Sequence, residues 1–433
     1  MRLAIITSGY LPVLDGVTIC LRERLKRLSA WGHQVLLIAP DYRTAALHYP
    51  QWREHIGEIL PNVRVASVPS SRFAGLDWER NPNTAARPVI DRLLAECKPD
   101  AIHVDEPERL AAGLFRRAGK AYARRAGIPL IAFYHTNFPD YAPDYIPGVL
   151  SPVVPLVQGL GSRVIAAIYN GYDQTLVPAE NSYHRLRHSG FRNLRLGDFH
   201  GVDTTRFHPN LKRPGYFASE WGLGELDGRF VLLFLGRLTP DKGWALLAKV
   251  LPRISAALRD RLGIVIAGDG ELREPLQESF ARLVPQAHFL GRVHPDRVPA
   301  LMANASLHVT ASEKENFGLT VLEAFASGTP VVGPKAAGIG ELVKDGANGC
   351  HFSPGDGRTL ERLLLDLELD PARVARLGTA ARASALGRDW DITIRNWLAA
   401  VEALTPQRKA NPLEGGFQPG HAGDPLCLES ENR

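Results

Sequence analysis

Short apolar runs alternate with longer stretches of helical spacing along this chain, and they do so in two successive series. The first predicts strands at Leu3–Ser8, Gln34–Pro40, Val63–Pro69, Ala101–Asp105 and Pro129–His135, with helices at Thr18–Trp31, Thr84–Cys97 and Leu110–Arg125 between them. Two further strands, Thr175–Pro178 and Asn193–Asp198, flank a short helix near Tyr183–His188. The second series starts at Phe230, with strands at Phe230–Gly236, Gly263–Gly268, His288–Leu290, Leu307–Ala311, Pro330–Gly333 and Gly349–Phe352. Such alternation is the pattern of doubly wound α/β domains. With 433 residues the chain is long for one core and suits two domains of about 200 residues. We expect residues 1–205 and 206–387 to form them. A last helix spans Trp390–Leu404, where Trp390, Ile394, Trp397 and Val401 share helical spacing. Residues 405–433 are rich in Pro, Gly and polar residues and are expected to be a disordered tail.

Charge divides unevenly: +8 over residues 1–215 and −3 over the rest, for a net +5. A basic half can attract anionic lipid or an acidic acceptor. Arg22, Arg24, Lys26 and Arg27 form one cluster, and Arg116, Arg117, Lys120, Arg124 and Arg125 a second. On a helix, Arg116, Lys120 and Arg124 would make one stripe. No nucleic-acid motif accompanies the charge, so nucleic acid is not an expected partner. Cys20, Cys97, Cys350 and Cys427 are scattered without metal-ligand spacing, which suits a reducing compartment and no structural zinc. The longest uncharged run, Tyr145–Ser162, is broken by Pro147, Pro152 and Pro155, and a strand starts at Leu3. The expected setting is therefore cytoplasmic, without a signal peptide or membrane span.

Two segments concentrate chemistry. Glu315 and Glu323 stand eight positions apart, the first in the loop leaving a strand and the second on the next helix. Loop N–H groups beside a helix N-terminus bind anions, and flanking carboxylates bind hydroxyls, so the pair suits a nucleotide sugar. Arg237 and Lys242 follow the first strand of the second series, at the strand end where open α/β sheets bind ligands. Two cations there suit a diphosphate that gains charge as it departs.

The segment from Glu315 through Glu323-Ala-Phe-Ala-Ser-Gly-Thr-Pro-Val-Val332 and Gly338-Ile-Gly-Glu-Leu-Val343 resembles the signature of family four glycosyltransferases, retaining enzymes with the GT-B fold. The resemblance covers roughly residues 1–400. It implies two Rossmann-like domains facing across a cleft, with the last helix crossing back onto the first. It assigns Arg237 and Lys242 to the diphosphate, Glu323 to ribose and Glu315 to donor-sugar hydroxyls, with Phe317, Gly318 and Leu319 giving backbone contacts. Gly291-Arg-Val-His-Pro-Asp296 is similar to the base-holding segment, centred on Val293. Some guanine-using relatives carry Asp two residues after that Val, where this chain has Pro295, so a UDP-sugar donor is favoured, with GDP-mannose possible. The loop Gly9-Tyr-Leu-Pro-Val-Leu-Asp-Gly16 resembles the one facing the diphosphate, with Gly16 at its key place. Ala132-Phe-Tyr-His135-Thr-Asn-Phe138 is similar to the corresponding segment of lipid-directed mannosyl and sulfoquinovosyl transferases and makes His135 the contact near the reacting carbon.

The resemblance implies transfer with retention to a hydroxyl acceptor, a membrane lipid or lipid-linked glycan, by a protein that can sit on the inner membrane face. The departing phosphate would help to deprotonate the acceptor. No DxD motif stands at a suitable strand end, because Asp366-Leu-Glu-Leu-Asp370 lies in a leucine-rich stretch; neither a metal nor a further cofactor is expected. Alternatives are an epimerase of the same architecture, a transferase using a soluble acceptor, and a non-catalytic nucleotide-sugar scaffold.

Overall fold

The structure, a computed structural model, describes residues 1–73, 76–135 and 154–405. Ten strands form in the first half: β1 (Arg2–Ile6), β2 (Gln34–Pro40), β3 (Gly57–Leu60), β4 (Val63–Val68), β5 (Ser70–Phe73), β6 (Leu76–Pro82), β7 (Ala101–Asp105), β8 (Leu130–Phe133), β9 (Gln174–Val177) and β10 (Leu194–Leu196). Eight of them make one sheet in the order β10-β9-β8-β7-β1-β2-β4-β3, parallel except for β3, while β5 and β6 form a separate hairpin. The second half contributes β11 (Phe230–Leu235), β12 (Leu262–Ala267), β13 (Ala287–Gly291), β14 (Leu307–Val309), β15 (Val331–Pro334) and β16 (Gly349–Phe352), in the parallel order β13-β12-β11-β14-β15-β16.

The strands read as unbroken apolar runs because both faces of each sheet are covered. In β1, Leu3 and Ile5 pack with Leu21, Leu25 and Leu28 of the first helix, Gly16–Ala30. The alternate residues Ala4 and Ile6 pack on the opposite face with Ile90, Leu94, Leu110 and Tyr169. A third component of the first face comes from the far end of the chain. Trp397, Ala400 and Val401 of the last helix, Trp390–Glu402, lie in the same cluster as β1. That helix starts where Asp389 caps it and also accepts hydrogen bonds from the Thr204 N–H and hydroxyl, at 3.1 and 2.6 Å. The two chain crossings between the sheets thus run side by side: Val202 N–H donates to Arg388 O and Trp390 N–H to Val202 O. Gly201 permits this approach, since a Cβ there would stand 2.7 Å from Arg388 O.

The expected helix Leu110–Arg125 is two helices, Pro107–Leu114 and Lys120–Ala126. Between them Phe115 and Gly119 take positive φ, 50° and 72°, and the chain dips towards the sheet until Gly119 lies against Ile6, Ile102 and Leu130. A Cβ there would press on all three side chains at 3.2–3.3 Å and would be strained at this φ. The basic stripe is therefore not a helix face. Arg116 sits in the connection and pairs with Asp91 at 3.1 Å, and Arg117 donates to the carbonyls of Ala167 and Ile168 at the end of the helix Val154–Tyr169. The hairpin and edge strand β3 were not foreseen either. Cys427 and the tail from 406, together with Thr136, Asn137 and Phe138, lie outside the described residues. Among the described residues no helix is long and apolar enough to cross a membrane.

The docking of the last helix yields a stability test. Trp397 is fully buried, and its deletion leaves a large cavity between that helix and β1. Trp397→Ala should cost about 3–5 kcal/mol, read by denaturant unfolding. A loss below about 1 kcal/mol would mean that the helix is not integral to this core.

Candidate active site at the facing strand ends

In each sheet the loops that leave the strand ends meet the N-termini of the helices that follow. On the second sheet, β11 ends at Leu235, and Arg237 projects from the loop beyond it. Arg237 is largely exposed, with its guanidinium 3.6 Å from Asp241. Lys242 closes the next turn, Pro240–Lys242. Its Nζ lies 2.6 Å from Glu315 Oε2 and 3.6 Å from Asp241 Oδ2. Burial alone would raise the Asp241 carboxyl, but the Thr239 hydroxyl and the Lys242 and Arg237 cations hold it below its ordinary range. Two residues chosen from separate motifs, Lys242 and Glu315, are thus brought into direct contact.

Beyond Glu315 the chain turns through Gly318, whose φ of 89° favours glycine, into the helix Leu319–Ala326. That helix N-terminus faces the start of the first helix of the other sheet. A Cβ on Gly16 would stand 3.6 Å from the Leu319 side chain. Two positive helix ends, each with N–H groups lacking intrahelical partners, therefore lie beside one another. Phe317 is buried, its ring 4.5 Å from that of His200. Val293 and Leu319 pack on the same apolar cluster.

Glu323 lies one turn into the helix Leu319–Ala326. No side chain among the described residues hydrogen-bonds its carboxylate, and burial pushes it up to about 7, with Arg206 pulling the other way. Arg206 also pairs with Asp296 at 2.9 Å, just past the Val293 segment. Arg206 arrives on the crossing segment and was not a sequence candidate.

His135 follows β8 and is buried. Its Nε2 is 2.7 Å from Asp105 Oδ1, and its ring stacks on Phe133 with centroids 4.3 Å apart. Asp105 ends β7, the neighbour of β8, and also meets His103 Nε2 at 2.9 Å and the Arg24 guanidinium at 3.4 Å. The His135 carbonyl accepts from Asn316 Nδ2 at 2.6 Å, and Asn316 Oδ1 accepts from the Ser182 hydroxyl at 2.6 Å. Asn316 thus ties the loop carrying Glu315 to the first sheet. Asp105, Asn316 and Ser182 were missed. A charged residue ending an apolar strand was the available signal for Asp105, whereas nothing local marks Asn316 or Ser182.

The arrangement offers cations and helix ends for an anion, carboxylates for hydroxyls, and an imidazole between them. Among the described residues no group of three or more His, Cys, Asp or Glu side chains is placed to hold a metal ion. Residues 14–197 match the family described as Glycosyltransferase Family 4, and residues 218–384 the family Glycosyl transferases group 1. A GDP-mannose-dependent alpha-mannosyltransferase of Mycolicibacterium smegmatis is 33% identical over 421 residues, covering 94% of this chain and 99% of the relative. Alpha-monoglucosyldiacylglycerol synthase of Streptococcus pneumoniae is 26% identical, covering 84% and 78%. Among solved structures, the sucrose-phosphate synthase of Thermosynechococcus elongatus superposes with a TM-score of 0.72 at 18% identity, over 93% of this chain and 99% of that one, a likeness of fold. With both halves matched and a relative 33% identical along nearly its whole length, this chain belongs to the group 1, family four glycosyltransferases, enzymes of the GT-B fold.

Proposed function

We propose that this glycosyltransferase moves a mannosyl group from GDP-mannose, with retention of configuration, to a hydroxyl of a membrane lipid or lipid-linked glycan. The observation that carries the reading is the meeting of Lys242 and Glu315 beside the two facing helix N-termini. In this reading residues 206–387 hold the donor, and residues 1–205, with the returning last helix, hold the acceptor. The diphosphate lies between the helix ends near Gly16 and Leu319, with Lys242 and Arg237 countering the charge that grows on it as the sugar leaves. Glu315 takes donor-sugar hydroxyls, Glu323 the ribose, and His135 the sugar near its reacting carbon. With cations and helix dipoles stabilising the leaving group, transfer proceeds without a metal ion.

Guanine replaces the uracil expected from Pro295 because the 33% identical relative is named for GDP-mannose. Asp296, exposed and held by Arg206, is a carboxylate able to accept from the N–H groups of guanine. A lipid acceptor is supported by the diacylglycerol product named for the pneumococcal relative and by the +8 charge of residues 1–215. The supposed stripe of Arg116, Lys120 and Arg124 adds nothing to it. Peripheral attachment to the inner membrane face follows from such an acceptor.

Incubation with GDP-mannose, UDP-glucose and UDP-galactose, with and without lipid extract, is the direct test. Transfer should occur from GDP-mannose only, require the extract, and persist in excess chelator. Transfer from a UDP-sugar would reverse the donor assignment, and activity abolished by chelator and restored by Mg²⁺ would reverse the metal-free one.

Arg237→Ala and Lys242→Ala should each lower kcat/KM by roughly 10²–10³, the loss typical of one transition-state electrostatic contact. Near-normal kinetics in both would remove the diphosphate assignment.

Glu323 gives a proton-linked test. Ribose hydroxyls donate to its ionised form, so nucleotide binding should lower a carboxyl that burial holds near 7. Binding of GDP at pH 7 should therefore release protons, seen as a dependence of the calorimetric enthalpy on buffer ionisation heat, and Glu323→Gln should abolish that dependence. Equal enthalpies in all buffers for the wild type would take ribose away from Glu323.

A further inference from the structure

Asp105 is a fully buried carboxylate whose partners converge from four parts of the chain. His103 stands two residues before it on β7, Arg24 comes from the first helix, His135 from the end of β8, and Trp397 reaches the group from the last helix by donating its indole N–H to His103 Nδ1 at 3.3 Å. The Arg24 guanidinium lies over the Trp397 ring, 4.7 Å from its centroid. Burial alone would disfavour charge on Asp105, yet His103, Arg24 and His135 together hold it ionised. Trp397 can only donate and lies against His103 Nδ1, while His103 Nε2 faces both the Asp105 carboxylate, at 2.9 Å, and the Arg24 guanidinium, a second donor-only group, at 3.0 Å. Burial, more than any neighbouring charge, keeps the His103 ring neutral, at about 4. The fixed partners set the roles around the group: the ionised carboxylate only accepts, and Trp397 and Arg24 only donate.

The same logic applied to His135 decides which of its nitrogens can meet a substrate. Nε2 is committed to Asp105, and the ring plane is fixed by stacking on Phe133 at an interplanar angle of 19°. Among the described residues no polar group bonds Nδ1.

We propose that Asp105 is a positioning residue for sugar transfer: by holding Nε2–H of His135 it presents Nδ1 to the hydroxyls of the transferred sugar. His103 and Trp397 secure that orientation, which makes the last helix part of the support of the active site. The inference rests on the reading that His135 contacts the donor sugar.

A double-mutant cycle tests it. Asp105→Asn preserves volume but removes the charge, and should lower kcat/KM for transfer by roughly 10–10²-fold, as when the partner behind a functional imidazole is lost, while free GDP binds with unchanged affinity. In a His135→Ala background the same change should cost nothing further. Equal losses in both backgrounds would overturn the proposal, because Asp105 would then act independently of His135. If Asp105→Asn does not fold, Trp397→Phe, which removes the N–H to His103 and keeps an aromatic ring at that place, should give a smaller loss that also vanishes in His135→Ala. The wild-type enzyme with ¹⁵N-labelled histidine provides a reading free of variants. In its neutral form His135 should be the Nε2–H tautomer, and an Nδ1–H tautomer would refute the orientation. Full activity of His135→Ala alone would retire the sugar-contact reading and the catalytic consequence drawn here, while the nitrogen spectrum would still decide the bond to Asp105.

Discussion

Everything the site does depends on a property of parallel sheets. Because their strands run one way, the strand ends and the N-termini of the helices that follow collect at a single edge. Here two such edges meet, so that the helix beginning at Gly16 and the helix beginning at Leu319 start beside one another. An anion is favoured there before any side chain is considered. Lys242 and Arg237 add positive charge at the same edge, and in the proposed reading Glu315 and Glu323 limit the ligand to an anion that also carries hydroxyls.

The polar contacts that bind the facing edges are few and specific. Asn316 joins the Glu315 loop to the His135 carbonyl and to Ser182, and the Glu341 carboxylate accepts from the N–H groups of Glu180 and Asn181, at 2.7 and 2.5 Å. Both contacts connect helices or loops of one sheet to those of the other, and one small apolar cluster does the same, where Leu319 packs with Cys20, Trp390 and Ile394. Polar links with modest net energies suit an enzyme that must admit a nucleotide sugar and release a nucleotide.

Local signals in the sequence proved legible and juxtapositions did not. Strands β1, β2, β7 and β11 stand where apolar runs predicted them, because a strand buried on both faces leaves a continuous apolar stretch. The order of strands leaves no such trace, nor does the hairpin β5-β6. The break at Phe115–Gly119 was missed since Arg116, Lys120 and Arg124 keep helical spacing through it, and the reason for the break, contact of Gly119 with Ile6 and Leu130, is remote in sequence. Lys242 and Glu315 were named separately from their strand ends, but their contact spans 73 residues. Asp105 read as the last residue of a strand, and only the fold shows that it gathers Arg24, His103 and His135.

The contact between Lys242 and Glu315 has a consequence for discrimination among ligands. Each group already satisfies the other, so a ligand that reaches only one of them takes a close partner from its companion. A bare phosphate would relieve Lys242 and strand Glu315; a free sugar would leave Lys242 with only the more distant Asp241, at 3.6 Å. In the proposed reading, a sugar joined to a diphosphate is the smallest ligand that replaces both halves of the pair at once. When the sugar has been transferred, the remaining nucleotide again answers only the cation, and the two side chains compete to close on each other. The ion pair would thus act as a built-in competitor that weakens the hold on the spent donor more than on the intact one.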